Sequence, residues 1–465
     1  MSGFGPAGSV GPVVAAPAEQ AGGSATHGPK LRRVALVNLG CRVNRVELDD
    51  MATRLEAVGF SLATEDQAAA VVINTCAVTG EAEAKARKAV HHAASLPQAP
   101  LVVATGCAAC LFAQELEALG PNVVVERDKG RVPELVAARL GVAAGPAGVA
   151  ATVPAAGGTP TPTGRTRPGV KVQDGCDNRC TYCIVWKARG AARSVPLDEC
   201  VRLVQGACDR GAREVVLTGI NLGSWRGEKD GRSLGLPGLI DELLATTSVG
   251  RLRLSSIEPP DVDAELAECM ARAGERVAPF LHICLQAGCD ATLGRMGRVY
   301  DTAAFRAACQ AVRSAVPNVA LGTDIICGFP GETDEDFDRS LDFCREMGFS
   351  RMHVFRYSKR PGTPAATAPD QVDPRVMAER ARRARELARA MRAEEAARLV
   401  GQGDLVVVQY PHRGVTGGLF DVALDRDVPL GSLVRVRVTG ADAQGTLVAT
   451  VLDATGPDAF VLPGA

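Results

Sequence analysis

The strongest chemical signal in the sequence is a run of three cysteines, Cys176, Cys180 and Cys183, with the spacing C-x3-C-x2-C. The run follows a short apolar stretch at 170–172, so we expect a loop at the carboxyl end of a barrel strand. Thiolates at this spacing suit an iron–sulfur cube, and three ligands for four irons leave one iron open. A four-thiolate zinc site would need a fourth cysteine nearby, and the next is Cys200, in a predicted helix. The spacing therefore favours an open [4Fe–4S] cluster.

A second set of three cysteines, Cys41, Cys76 and Cys107, is spread over the first part of the chain. Each stands just past an apolar run that predicts a buried strand. The three runs cover residues 33–39, 70–74 and 101–105. In a parallel sheet the carboxyl ends of neighbouring strands meet at one edge, so thiols 35 and 31 residues apart can converge there. The alternative is three unrelated buried cysteines, each of which would be common singly.

Cys110 complicates this second set, because Cys107 and Cys110 form a C-x2-C pair. Cys110 could be an alternative ligand or a redox thiol. We favour Cys107, since Cys110 falls inside the following predicted helix. The remaining cysteines lie mostly in predicted helices or strands and are interpreted as buried apolar residues. They are Cys200, Cys208, Cys269, Cys284, Cys289, Cys309, Cys327 and Cys344.

Length and charge exclude several classes of protein. The 465 residues suggest about three domains, and 52 basic against 53 acidic side chains leave a net charge of −1. A globally basic nucleic-acid-binding protein is therefore excluded, although a local basic patch is not. No stretch is long and apolar enough to span a membrane, and residues 1–29 lack the features of a secretory signal. We expect a cytoplasmic protein with reduced or metal-bound thiols.

The elements that must position the cysteines predict an α/β fold with three domains. Residues 1–29 predict a disordered leader, and the uncharged residues 141–164 predict a flexible linker. Residues 30–140 alternate apolar runs with helical stretches, which predicts a parallel sheet with helices. Residues 165–399 repeat strand and helix six times, which predicts a partial (βα)6 barrel. Residues 400–465 alternate apolar and polar residues between turns, which predicts a small β-barrel of the oligonucleotide-binding type.

The C-x3-C-x2-C run, with the aromatic Tyr182 before its last cysteine, resembles the radical S-adenosylmethionine enzymes. Surrounding segments narrow the resemblance to the methylthiotransferases, and it covers residues 31–452 except the linker. These segments are Gln173–Cys176, Arg189–Gly190, Arg193–Ser194, Val216–Gly219, Ser255–Glu258 and Gly328–Glu332.

That resemblance implies a role for each cysteine set. The open iron held through Cys176, Cys180 and Cys183 would chelate S-adenosylmethionine, whose reductive cleavage gives a 5′-deoxyadenosyl radical. By the same resemblance, Cys41, Cys76 and Cys107 would hold a second [4Fe–4S] cluster, whose open iron carries the sulfur to be inserted.

The resemblance also suggests residues that contact S-adenosylmethionine. Four of them lie at carboxyl ends of predicted barrel strands, the same rim as the cysteine run. The candidates are Tyr182, Gly219, Glu258, Gly328 and Glu332. The alternative is that Gly219 only ends a strand and that residues 328–331 only form a turn.

Members of this family modify either an adenosine beside the tRNA anticodon or an aspartate of a ribosomal protein. Residues 39–44, 255–259 and 353–360 resemble the branch that acts on threonylcarbamoyladenosine. The resemblance thus implies methylthiolation at C2 of N6-threonylcarbamoyladenosine at position 37 of tRNA. Of two S-adenosylmethionine molecules, one would donate methyl and one would generate the radical. The alternatives are the isopentenyladenosine enzyme, the ribosomal-protein enzyme and a non-catalytic RNA-binding iron–sulfur redox sensor.

The threonylcarbamoyl group carries a carboxylate, whereas isopentenyl is apolar, so a pocket for the former should offer a cation. Arg193 follows the cysteine loop, and Arg356 and Lys359 follow the last predicted barrel strand. These three are our candidate substrate residues. We also expect an electron donor of the flavodoxin or ferredoxin type and a separate sulfur donor.

The C-terminal module resembles the TRAM domain, an RNA-binding β-barrel. From Gly401 onward there are 4 Arg and 7 Asp, so its attraction to phosphate should be weak. Tyr410, His412 and Arg413 share a predicted loop that could grip RNA, or could be a solvated turn. The helix predicted over residues 373–400 has 8 Arg against 5 acidic residues and could supply positive charge, although such helices are usually solvated faces. We expect module and helix to add tRNA affinity and no chemistry.

Overall fold

The structure is a computed structural model that describes residues 32–142 and 159–453. These residues form two compact units. The first contains residues 32–142 with 161–164 and 183–190, and the second contains the other described residues. The predicted leader and residues 143–158 of the predicted linker lie outside the described residues. Within the described ranges, no helix has both the length and the apolar character needed to cross a membrane.

The first unit is a five-stranded parallel sheet in the order β2-β1-β3-β4-β5, which confirms the predicted α/β fold. The strands are β1 Arg33–Asn38, β2 Ser61–Leu62, β3 Ala70–Thr75, β4 Leu101–Gly106 and β5 Val123–Val125. The helices are α1 Arg42–Val58, α2 Gly80–Ala94, α3 Cys107–Leu111, α4 Ala113–Glu117, α5 Val132–Arg139 and α6 Val185–Arg189. Alternate residues of β1 enter different cores, Val34 on one face and Ala35 on the other. Every residue of β3 is buried, as expected where both faces of a parallel sheet are covered.

The second unit begins with the predicted six-stranded parallel arrangement. Strand pairing runs β6-β9-β12 and β13-β14-β15-β16, and β12 and β13 are separated only by Ser255. The strands are β6 Gly169–Lys171, β9 Glu214–Thr218, β12 Arg251–Leu254, β13 Ser256–Ile257, β14 Phe280–Ile283, β15 Ala320–Cys327 and β16 Arg351–Arg356. Two short antiparallel pairs join β7 Gln173–Asp174 with β8 Arg193–Ser194, and β10 Gly227–Lys229 with β11 Arg232–Leu234. The helices are α7 Leu197–Asp209, α8 Leu236–Thr246, α9 Ala264–Ala273, α10 Asp290–Arg295, α11 Thr302–Ala315, α12 Asp334–Met347 and α13 Pro374–Arg398.

Strand alternation gives the barrel two chemically different faces. Leu281, Ile325 and Cys327 pack against helix residues such as Phe305 and Phe337 in the main core of the unit. Because successive side chains point to opposite faces, the intervening positions of the same strands face the interior of the barrel.

A closed β-barrel follows α13 in the same unit, as the alternating pattern predicts. Its strands are β17 Gly403–Tyr410, β18 Arg413–Val415, β19 Asp421–Leu424, β20 Leu433–Ala441 and β21 Leu447–Asp453, in the order β17-β18-β19-β21-β20. Its core includes Phe280 and Ala320, the first residues of β14 and β15. The amino-terminal ends of these parallel strands are thus packed against the C-terminal barrel.

Two buried arginines of β12 strengthen this junction. Arg251 Nη1 donates to the Leu405 carbonyl at 2.8 Å, and Arg253 donates to the Gly417 and Thr416 carbonyls at 2.8 and 3.0 Å. Both arginines are paired with Glu214, which is fully buried. Burial alone would raise the pKa of Glu214, but the neighbouring guanidinium groups lower it well below its ordinary value. The C-terminal barrel is therefore a structural part of the second unit.

Candidate active site

The three cysteines of the C-x3-C-x2-C run lie in the irregular segment between β7 and α6. None of the three forms a disulfide; Cys180 is buried, and the other two are half-buried. Burial raises the pKa of Cys176, and negative charge on Cys180 raises it further, so these two thiols are near neighbours. A cluster that replaces the thiol protons with iron would remove this mutual repulsion.

The cysteine loop is hydrogen-bonded to the last residue of α10 and to the residue that follows it. Thr181 donates its backbone N–H to the Met296 carbonyl and its hydroxyl to the Arg295 carbonyl, both at 2.9 Å. Between these acceptors and Arg298, Gly297 adopts a left-handed φ of 67°, a conformation that a side chain would strain. The position of the cysteine loop is thus fixed by backbone contacts.

Arg298 is a contact of the cysteine run that the sequence analysis missed. Its Nη1 lies 3.0 Å from Cys180 Sγ and 3.4 Å from the Tyr182 hydroxyl. Its Nη2 forms an ion pair with Glu258. The only available sequence signal is an arginine two residues before Tyr300, which does not distinguish this residue from surface arginines.

Gly219, one of the candidate cofactor residues, has a steric role in this structure. A Cβ at this position would lie 2.9 Å from the Gln173 side chain, whose Oε1 accepts a hydrogen bond from the Asn221 N–H at 2.9 Å. The glycine lets the end of β9 approach β7, directly before the cysteine loop. This contact does not test a role in S-adenosylmethionine binding, which stays a prediction.

Glu332 and Gly328 act together in the turn after β15. The Gly328 N–H donates to Glu332 Oε2 at 2.6 Å, and Arg380 Nη1 donates to the same oxygen at 2.8 Å. Burial raises the pKa of Glu332 to about 7, while both donors oppose that rise. The Glu332 carboxylate thus stabilises the turn, and direct contact with a cofactor stays a prediction. Tyr182 meets Phe329 of this turn edge-on, with ring centroids 6.2 Å apart.

A polar cluster that the sequence analysis did not identify lies on the interior face of β14 to β16. Asp324 Oδ1 lies 3.0 Å from His353 Nδ1 and 3.1 Å from His282 Nε2. Arg351 Nε lies 3.2 Å from His353 Nε2, so this ring accepts from arginine and donates to the carboxylate. Donor atoms of His282, Cys284 and Asp324 lie within 4.8 Å of one another. The sequence predicts Cys284 as a buried apolar residue, and the structure shows that it is buried but borders this polar cluster.

The three candidate substrate residues occupy different places. Arg193 is exposed in β8 and donates to the Ala191 carbonyl at 3.2 Å, and Lys359 is exposed beyond β16. Arg356 pairs in register with Cys327, whose side chain packs into the helical core. Arg356 therefore extends from the outer face of the strand at its carboxyl end, and a role in binding the substrate stays a prediction. The interior positions of β16 are Arg351, His353 and Phe355.

The second cysteine set follows three adjacent strands of the first unit, β1, β3 and β4. Cys41 is the N-cap residue of α1, Cys76 follows β3 directly, and Cys107 opens α3 directly after β4. Burial raises the pKa of Cys76 to about 12, with further contributions from negative charge on Cys41 and Cys107. Each thiol thus lies within electrostatic reach of the others, as expected from the edge of a parallel sheet.

Asn44 and Asn74 form a buried amide network beneath these thiols. Asn44 Nδ2 donates to Asn74 Oδ1 at 3.2 Å and to the Thr75 carbonyl at 2.8 Å. Asn74 Nδ2 donates back to the Asn44 carbonyl at 2.7 Å. The network therefore ties the start of α1 to the residue that precedes Cys76. Gly106, which has a φ of 95°, leaves room for this amide network. A Cβ at Gly106 would collide with the Thr75 carbonyl and the Asn74 side chain.

Helix α6, which begins two residues after Cys183, completes the second site. Ile184 shares an apolar cluster with Cys107 and Ala77. Arg189 donates to Glu47 at 2.7 and 3.1 Å and to Asn44 Oδ1 at 3.0 Å, and its side chain is only 5% exposed. The sequence predicts a domain boundary near residue 165, which assigns Ile184 and Arg189 to the second domain. In the structure both residues pack with the first unit.

Cys110 lies within α3, as predicted, and is half-buried. Burial raises its pKa, and negative charge on Cys107 raises it further. The two thiols are therefore close enough to interact, which keeps both alternatives for Cys110 open.

Among the described residues, only some of those that we expected to bind RNA are exposed and have no acidic partner nearby that would compete with phosphate. Tyr410 is 66% exposed, but His412 Nε2 lies 2.9 Å from Asp427 Oδ1. In α13, five of the eight arginines form ion pairs with acidic side chains: Arg380, Arg382, Arg383, Arg392 and Arg398. Much of the positive charge of this helix is thus neutralised within the protein.

Two family models match the chain. The radical SAM superfamily matches residues 170–344, and the uncharacterized protein family UPF0004 matches residues 33–126. The threonylcarbamoyladenosine tRNA methylthiotransferase MtaB of Thermotoga maritima is 33% identical, covering 90% of this chain and 96% of that protein. The tRNA-2-methylthio-N(6)-dimethylallyladenosine synthase of Novosphingobium aromaticivorans is 36% identical, covering 76% of this chain and 81% of that protein. Among solved structures, the radical S-adenosylmethionine methyltransferase TsrM of Kitasatospora setae has a similar fold, with a TM-score of 0.51 at 17% identity, covering 72% of this chain and 77% of that one.

Proposed function

The chain belongs to the radical S-adenosylmethionine methylthiotransferase family, and we propose that it methylthiolates C2 of N6-threonylcarbamoyladenosine at position 37 of tRNA. The observation that carries the proposal is the presence of two separate cysteine triads, each supported by its own set of polar contacts. The likeness to MtaB over 90% of the chain supports the choice of substrate.

Both triads suit [4Fe–4S] clusters by the chemistry of their donors. Each offers three cysteines outside any disulfide and no fourth cysteine ligand in the same motif, apart from Cys110 beside Cys107. When bound, the first cluster with S-adenosylmethionine supplies a carbon-centred oxidant, and the second supplies the site of sulfur delivery. We assign Cys176, Cys180 and Cys183 to the first, and Cys41, Cys76 and Cys107 to the second.

The protein itself supplies position and charge. Thr181 and the segment after α10 fix the first loop, whereas Asn44, Asn74 and Arg189 fix the loops of the second. Gly219 and Glu332 shape the rim on which we place S-adenosylmethionine. We further propose a cytoplasmic enzyme that takes electrons from a flavodoxin- or ferredoxin-type donor and sulfur from a separate donor.

A second candidate substrate is N6-isopentenyladenosine in tRNA. It is favoured by the 36% identity to a dimethylallyladenosine enzyme and by the position of Arg356 on the outer face of β16, where it adds no cation to the interior face. A pocket with fewer cations suits an apolar substituent better.

Nucleoside mass spectrometry of tRNA from cells that lack this protein tests the proposal. We expect loss of 2-methylthio-N6-threonylcarbamoyladenosine, accumulation of its unmodified precursor, and restoration by the wild-type gene. Loss of the isopentenyl derivative instead would support the second candidate. No change in either nucleoside would contradict a tRNA substrate.

A further inference from the structure

Arg298 is a buried cation beside the first cysteine run, and its role is not explained by the proposed reaction. Its side chain is only 3% exposed. Nη1 donates to Cys180 Sγ at 3.0 Å, and Nε donates to the Tyr300 hydroxyl at 2.9 Å. The guanidinium group also lies over the Tyr300 ring, 4.8 Å from its centroid. One N–H edge of Arg298 is therefore directed at a sulfur atom.

Glu258 pairs with the other end of the same guanidinium group. Its Oε2 contacts Arg298 Nη2, and its side chain is 19% exposed. Because the carboxylate neutralises part of the guanidinium charge, the field at Cys180 depends on both residues.

The backbone holds Arg298 in this position. Its N–H donates to the Leu293 carbonyl at 3.0 Å, and Met296 and Arg295 accept the hydrogen bonds from Thr181. The Tyr300 hydroxyl, which contacts Arg298 Nε, also donates to the Leu285 carbonyl at 2.9 Å. The distance between Arg298 and Cys180 is thus determined by the fold and not by a mobile side chain alone.

We propose that Arg298 and Glu258 together set the reduction potential of the cluster held by Cys176, Cys180 and Cys183. Transfer of one electron from an external low-potential reductant to the oxidised cluster adds one negative charge to it. A cationic N–H donor at a ligating sulfur stabilises that reduced form and raises the potential, whereas the Glu258 carboxylate lowers it. Arg298 is a positioning residue that acts through Cys180. The proposal rests on the cluster that the family implies and does not depend on the tRNA substrate.

The midpoint potential of this cluster can be measured by EPR-monitored titration with dithionite. The sample is the full-length, anaerobically reconstituted protein, and the signal that changes on S-adenosylmethionine addition identifies the cluster. In Arg298→Met we expect a lower potential, so that the ratio of reduced to oxidised cluster at the wild-type midpoint falls on the order of tenfold. Arg298→Lys should shift the potential less, and Glu258→Gln should shift it upward.

Arg306→Gln is the matched control, because Arg306 lies in α11 and pairs with Glu346. Its potential should equal that of the wild type. Circular dichroism and iron content show whether Arg298→Met has folded, and Glu258→Gln tests the proposal with the arginine in place. Unchanged potentials in both Glu258→Gln and folded Arg298→Met, at full iron content, would overturn it. The assay does not read tRNA modification, so failure of the proposed function would appear separately.

Discussion

The thiol of Cys41 and the amide of Asn44 form a hydrogen bond of 3.4 Å, in which the sulfur donates to Asn44 Oδ1. The same oxygen accepts from Arg189, and the amide nitrogen of Asn44 donates toward the strand that ends before Cys76. One buried side chain therefore connects two predicted cluster ligands.

Replacement of Asn44 should disable the second cluster specifically. Asn44→Ala removes the acceptor of Cys41 and leaves buried partners unpaired, which should cost about 1–3 kcal/mol of stability. We expect iron in the reconstituted protein to fall from about eight to about four per chain. Asn122→Ala is the control, since the Asn122 amide donates hydrogen bonds to the Ala94 and Pro100 carbonyls in the same unit and contacts no predicted cluster ligand through them. Full iron content in Asn44→Ala would contradict a role in this site.

The two cysteine triads should be separable by substitution. Triple replacement by Ala of Cys176, Cys180 and Cys183 should leave about four irons per chain and abolish S-adenosylmethionine cleavage. Triple replacement of Cys41, Cys76 and Cys107 should also leave about four irons per chain. This variant should still cleave S-adenosylmethionine, but it should no longer insert sulfur. Iron analysis and detection of 5′-deoxyadenosine after anaerobic reduction provide the measurements.

Controls for the triads come from other cysteines. Cys309→Ala should keep both clusters, because Cys309 is fully buried among apolar residues of the core. Cys110→Ser should also keep them if Cys107 is the ligand, and loss of iron in that variant would instead favour Cys110. A wild-type protein with a single cluster under reducing, oxygen-free conditions would refute the assignment of two sites.

The junction with the C-terminal barrel should be important for stability. Arg253→Met removes a buried partner of Glu214 and two hydrogen bonds to the barrel backbone, so we expect a loss of roughly 3–5 kcal/mol in the free energy of unfolding. Arg435→Ala is the control, since its ion pair with Glu275 is half exposed and should contribute about 0–1 kcal/mol. Denaturant unfolding measures both. Equal stability of the two variants would contradict this view of the junction.

Truncation after Val400 should consequently do more than weaken tRNA binding. It exposes Phe280 and Ala320 and removes the acceptors of Arg251 and Arg253, so we expect a loss of stability in addition to the weaker tRNA binding that the sequence predicts.

Substrate choice should respond to cations at the barrel mouth. Arg193→Met and Lys359→Met should lower kcat/KM for tRNA with threonylcarbamoyladenosine by about tenfold or more, if either pairs with the carboxylate. Arg356→Met is the comparison, because Arg356 extends from the outer face of β16. Activity is measured on matched tRNAs that carry the threonylcarbamoyl or isopentenyl group. A preference for the isopentenyl tRNA in the wild type would defeat the substrate assignment and leave the radical chemistry untouched.

Local spacing in the sequence singled out both cysteine sets and predicted the α/β fold with its C-terminal β-barrel, which the structure confirms. The reason is that strands with buried faces leave continuous apolar runs, and the carboxyl ends of neighbouring parallel strands share one edge. Cys41, Cys76 and Cys107 could be placed near each other from this rule alone.

Only the tertiary structure identified the side chains that support these cysteines. Arg298 is 118 residues from Cys180 and Arg189 is 145 from Asn44, so no local pattern links them. Buried arginines also look like surface arginines in a sequence where nearly all basic residues are Arg. The strand face from which Arg356 extends is set by the register of β16 against β15. A shift of one residue would move every side chain of the strand to the opposite face. Long-range pairing and register, which arise only when the chain folds, decided these contacts.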